Sequence, residues 1–113
     1  MIGKIILTCE DIQEDLAVWV TKNFGEGRPA YQPLLGVVEE VGELSHAQLK
    51  GEQGIRTNED HDADAKDAVG DIVIYLMDYC TVRGWSFMDC VRAAWATVQK
   101  RDWTKETGED GKA

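Results

Sequence analysis

Two stretches place acidic residues inside otherwise apolar segments: Glu39-Glu40-Val41-Gly42-Glu43 and Asp67-Ala68-Val69-Gly70-Asp71. At roughly 100° per residue, Glu40 and Glu43 lie about 60° apart around a helix, and Glu39 and Glu43 about 40° apart. Like charges at this spacing destabilise a helix. Asp67 and Asp71 are also one turn apart, and Asp64 and Asp60 continue their stripe backwards. With the two faces opposed, four or five carboxylates gather. Without a cation this is costly, because each charge loses water and gains like-charged neighbours. Mg²⁺ turns the cluster into a hard-oxygen site with positions open for water and phosphate oxygens, and Mn²⁺ can substitute. A single E-x-x-E is ordinarily a solvated face, and acidic residues early in a helix suit its dipole, which accounts for Asp60 and Asp62. Neither explanation covers three glutamates in an apolar helix, or Asp71 directly before Ile72-Val73-Ile74.

The elements that must position these groups read as four helices. Thr8, with Asp11 three residues on, caps a helix over 9–23, whose Ile12, Leu16, Trp19 and Val20 make one stripe. A loop with Gly25, Gly27 and Pro29 leads to a second helix over 33–50. Pro33 lies in its first turn, Gly51 is its stop, and Leu34, Leu35, Val38, Val41 and Leu44 form its buried side. A third helix spans 60–83 and ends at Gly84. It is acidic in its first half and apolar almost all round over 72–77, which places it at the centre of a bundle completed by partner subunits. Ser86 with Asp89 caps a fourth helix over 86–103. Gly42 and Gly70, each one position before an acidic residue, are candidates for close helix approach. Apart from an extended run at 4–7, no strand pattern occurs. The expectation is an all-α four-helix domain over 1–103 with a flexible polar tail over 104–113.

Composition limits the partners. The 113 residues carry 12 basic and 21 acidic side chains, a net charge of −9. Such a surface repels nucleic acid and anionic lipid, but it accepts a polyphosphate when divalent cations stand between. No apolar run is long enough for a membrane span or a secretory signal. Cys9, Cys80 and Cys90 lack metal-site spacing and are odd in number, as expected of reduced thiols in a cytoplasmic protein.

At its acidic segments the chain resembles the MazG-type all-α nucleoside triphosphate pyrophosphohydrolases. That family carries E-E-x-x-E on one helix and E-x-x-D on a later one. The run from Pro33 to Leu44 matches the first, and Gly70-Asp71-Ile72-Val73-Ile74-Tyr75-Leu76 matches the end of the second; the likeness extends over 9–103. The resemblance implies hydrolysis of a (d)NTP between the α- and β-phosphates, giving (d)NMP and pyrophosphate. It assigns Glu40, Glu43, Asp71 and Asp67 to Mg²⁺, and Glu39 to orienting or deprotonating water, or to the metal itself. The family's usual glutamate three residues before the final aspartate is Ala68 here, so Asp67 stands in, with Asp64 in reserve.

Lys50, Lys100 and Arg101 are candidates for phosphate contacts, against the alternative of cations suited to helix C-termini. Trp19, Asn23 and Phe24 are candidates for holding a base, against a core role for Trp19. His46 reads as a structural or supporting residue, and His61 as solvated. Two further readings stand beside the enzyme. One is a catalytically inactive interaction or regulatory module of the same fold, which Ala68 favours. The other is a di-metal carboxylate bundle, for which Glu43 and His46 supply only one E-x-x-H. The expected assembly is a homodimer or homotetramer.

Overall fold

The computed structural model describes residues 6–104. Among them are four helices, α1 (Cys9–Phe24), α2 (Tyr31–Gln53), α3 (His61–Arg83) and α4 (Phe87–Val98), and no strand. Half of the expected extended run over 4–7 and all but the first residue of the tail over 104–113 lie outside the described residues.

Local chemistry sets most helix ends. The Thr8 hydroxyl accepts from the Asp11 N–H at 3.1 Å while the Asp11 carboxylate accepts from the Thr8 N–H at 3.0 Å, the reciprocal cap expected for α1. Asp60 caps α3 through the Ala63 N–H, and Ser86 caps α4 through the Asp89 N–H. Gly84 closes α3 in the left-handed conformation, as expected.

Two ends differ from expectation. α2 passes through Gly51 and stops at Gly54, whose φ of 66° lets its N–H and that of Ile55 satisfy the carbonyls of Gly51 and Lys50. Gly51 lies inside the helix beside His61, where an added Cβ would make an ordinary contact at 3.6 Å from the His61 Cβ. α4 ends at Val98 rather than 103: the next N–H groups tighten onto Thr97 and Val98 carbonyls, and the Asp102 side chain captures the Thr104 N–H.

α3 is the central element and packs against the other three, most extensively α2. Its Ala68, Met77 and Cys80 form the core with Val20 and Ala47. Gly36 and Tyr75 are where α2 and α3 press closest, since a Cβ on Gly36 would overlap the tyrosine ring. Gly42 and Gly70 do not serve this purpose, because a Cβ on either meets nothing within 4 Å.

The expected buried face of α2 is also corrected. Pro33, Gly36 and Ala47 are the buried residues, whereas Leu34, Leu35, Val38 (62% accessible) and Val41 are exposed. The same is true of α4, which buries no residue and exposes Val91, Trp95 and Val98. The chain thus has more apolar helix face than one copy of it can cover. Cys9, Cys80 and Cys90 are free thiols, and no helix among the described residues is long and apolar enough to cross a membrane.

Candidate active site

α2 and α3 bring their acidic stripes together. The Glu40 carboxyl is held above the usual carboxylate range by partial loss of solvent, then by the charges of Asp71, Glu43, Glu39 and Asp67. The five acidic residues singled out by spacing therefore share one electrostatic neighbourhood. Glu40 and Asp71 are half-buried, while Glu39, Glu43 and Asp67 are exposed. Ala68 is packed into the core, while Asp67, one residue earlier, is exposed and its charge acts on Glu40. Among the described residues, none of the five has a lysine, arginine or histidine ion-pair partner.

A set of uncompensated oxygens fits a hard divalent ion. No three of the five bring donor atoms within 4.8 Å of one another, so a cation held here would take one or two carboxylates directly and keep waters in its remaining positions.

Glu40 and Asp71 also line a cleft of about 780 Å³ between α1, α2, α3 and the α1–α2 loop. Trp19, Phe24 and Tyr75 supply aromatic surface, with Trp19 and Phe24 edge to face at 5.8 Å. Trp19 is 54% accessible, so it is a wall of this cleft and not a core residue. Asn23 does not line the cleft; its amide donates to the Trp19 carbonyl at 2.7 Å. Lys50 lies at the far end of α2 with its Nζ 3.3 Å from Gln53 Oε1, and Lys100 and Arg101 follow α4; none of the three lines the cleft.

The cation that does line it is Arg28, which sequence reasoning missed. Gly25 and Gly27, with φ of 83° and 71°, turn the loop back over α3. There the Arg28 guanidinium meets Asp78 in two parallel bonds of 2.9 and 2.6 Å. The hydrogen bonds to Asp78 raise the already high pKa of Arg28, keeping it charged. One signal for this pair was present: Asp78 directly follows the apolar 72–77 run, just as Asp71 precedes it. Nothing local points to Arg28.

A second group lies where α3 begins. Glu59, His61 and Asp64 bring one donor atom each within 4.8 Å of one another and could hold a metal ion. His61 is not solvated as expected: its side chain is 17% accessible. His46 also reaches this group, with Nε2 3.9 Å from Glu59 Oε1.

Compared with protein-family models, with curated proteins and with solved structures, the chain matches none.

Proposed function

We propose that the chain is a Mg²⁺-dependent nucleoside triphosphate pyrophosphohydrolase of the MazG type, cleaving a (d)NTP to (d)NMP and pyrophosphate. The observation that carries this reading is one cleft lined at once by aromatic rings and by the half-buried carboxylates Glu40 and Asp71. Its volume lies in the range of pockets that enclose small ligands. In this reading the base stacks against Trp19 and Phe24, Gln32 offers an amide to its edge, and the phosphates run toward Glu40 and Asp71.

Glu40, Glu43, Asp67 and Asp71 would hold Mg²⁺, or Mn²⁺ in its place. Bound there, the metal withdraws charge from the phosphate oxygens and makes water more acidic. Glu39, exposed beside the ligands, accepts the proton of the attacking water at a carboxylate oxygen. Arg28, bonded to Asp78, positions the loop wall of the cleft.

The exposed apolar faces of α2 and α4 support assembly as a homodimer or homotetramer. A second reading, a catalytically inactive interaction or regulatory module of the same fold, is favoured by the buried Ala68, which offers no ligand where the family usually has glutamate.

Pyrophosphate release from a panel of NTPs and dNTPs with Mg²⁺ tests the reading against Glu43→Ala and Asp71→Ala. Release by the wild type, lost in both variants and without metal, supports the enzyme. No release from any member by the folded, magnesium-loaded protein supports the inactive module.

A further inference from the structure

We propose that Glu59, His61 and Asp64, with His46 on the fourth side, bind a first-row transition-metal ion, Zn²⁺ by the chemistry of the donors. This site is separate from the acidic face, and its existence does not depend on whether the cleft turns over nucleotides.

The chain has two histidines in 113 residues. One stands on α2 and the other opens α3, yet both imidazoles approach the same oxygen. His46 Nε2 and His61 Nδ1 each lie 3.9 Å from Glu59 Oε1. At that distance neither makes a hydrogen bond to it.

The state of His61 is set by its other nitrogen. Nε2 lies 2.9 Å from the Ile55 carbonyl. A carbonyl oxygen only accepts, so Nε2 carries the hydrogen, and in the neutral ring Nδ1 presents a lone pair. That Nδ1 is buried and has no hydrogen-bond partner. A buried acceptor left unpaired is costly, whereas a ring whose far N–H is held by a backbone carbonyl is the usual arrangement of a metal-bound histidine. A metal in front of Nδ1 would satisfy the lone pair.

The remaining donors are in place. Glu59, His61 and Asp64 each offer an atom within 4.8 Å of the others. Zinc bonds of 2.0–2.2 Å in tetrahedral geometry separate ligand atoms by about 3.4 Å. The two 3.9 Å imidazole–Glu59 separations therefore close by about half an ångström. The Asp64 separations, within 4.8 Å, close by up to about 1.4 Å, and His46, outside that group of three, swings in as the fourth ligand. Asp64, exposed at the surface, leaves an entry path. Arg56 leans on the other Glu59 oxygen, Oε2, at 4.0 Å and leaves Oε1 facing the imidazoles.

Mixed nitrogen and carboxylate donors favour Zn²⁺ and its neighbours over Mg²⁺, the reverse of the all-carboxylate face. The ion would tie α2, the connecting loop and the first turn of α3 together. His46 is three residues beyond Glu43, and Asp64 three before Asp67. The metal would thus fix the helix spacing one turn away from the acidic face.

The test is calorimetric titration of the metal-free full chain with Zn²⁺ in excess Mg²⁺, with the two imidazoles followed by ¹⁵N NMR. The expected result is one tight equivalent per chain, with both imidazole signals shifted. Binding should weaken by at least about tenfold in His61→Ala, Glu59→Gln and Asp64→Asn, and stay unchanged in Glu40→Gln. Asp64→Asn, an isosteric change on the surface, keeps the test valid if His61→Ala does not fold. Absence of Zn²⁺ binding in excess Mg²⁺ overturns the proposal. So does binding that survives Asp64→Asn and Glu59→Gln but disappears in Glu40→Gln.

Discussion

Removing either partner of the Arg28–Asp78 pair should be among the most damaging single changes in this protein. The Asp78 side chain is 9% accessible and that of Arg28 16%, and the two share parallel bonds of 2.9 and 2.6 Å. Asp78→Ala leaves a largely covered guanidinium on the cleft wall without its counter-charge. Breaking a buried pair from one side costs about 3–5 kcal/mol, against a total stability on the order of 5–15 kcal/mol. For a domain of this size the midpoint should fall by roughly 12–20 °C. Replacing both partners, as Arg28→Met with Asp78→Leu, removes both charges and keeps the volume apolar. That double variant should lie within about 1–2 kcal/mol of wild type, because a buried pair often exchanges for hydrophobic residues at little cost. The cycle is read from thermal and urea melts followed by far-UV circular dichroism at one fixed protein concentration. In the same samples the double variant should fold yet bind nucleotide more weakly, since Arg28 is the cation of the cleft lining. Single variants that each cost less than about 1 kcal/mol, with effects that simply add, would place the pair with solvent-screened surface bridges and refute the reasoning.

Three further outcomes are expected. Gly42→Ala and Gly70→Ala should each stabilise α2 or α3 by up to about 1 kcal/mol through helix propensity. Gly36→Ala should instead be neutral or destabilising by up to about 2 kcal/mol, because its Cβ would lie 2.7 Å from Tyr75 Cζ and closer to two other ring carbons; equal gains in all three melts would show that the helices do not meet there. The raised Glu40 pKa means that the metal-free fold binds this proton more tightly than the unfolded chain, so ionised Glu40 destabilises above its folded pKa and ceases to do so below its ordinary value of 4.5. With chelator present, Glu40→Gln should therefore melt higher than wild type at neutral pH, and the gap should close as pH falls toward 4.5; a gap that widens on acidification contradicts the sign. Val38→Glu or Trp95→Glu, at residues 62% and 58% accessible, should convert an oligomer to monomers in light scattering, while wild type that is monomeric at micromolar concentration would remove the case for assembly.

What the linear sequence determined is what depends on neighbours a few residues apart. Thr8 with Asp11 and Ser86 with Asp89 cap helices because their hydrogen bonds close within one turn. Gly84 ends α3 because the left-handed conformation suits glycine. The helical period alone was enough to align Glu39, Glu40 and Glu43, and Asp67 with Asp71. The same local rule named Gly51 as the end of α2, which in fact ends at Gly54. There the N–H of Gly54 and that of Ile55 satisfy the Gly51 and Lys50 carbonyls.

Tertiary structure decided everything that needed the rotation of one helix against another. It turned Pro33, Gly36 and Ala47 of α2 inward and left the leucine and valine stripe outside. It joined Arg28 to Asp78 across 50 residues of chain. It also set both histidines around Glu59, where spacing had suggested a supporting residue and a solvated one. Periodicity specifies a direction around each helix axis, but charge and ligand chemistry fall off within a few ångströms. Only the crossing of the helices determines which directions meet at that range.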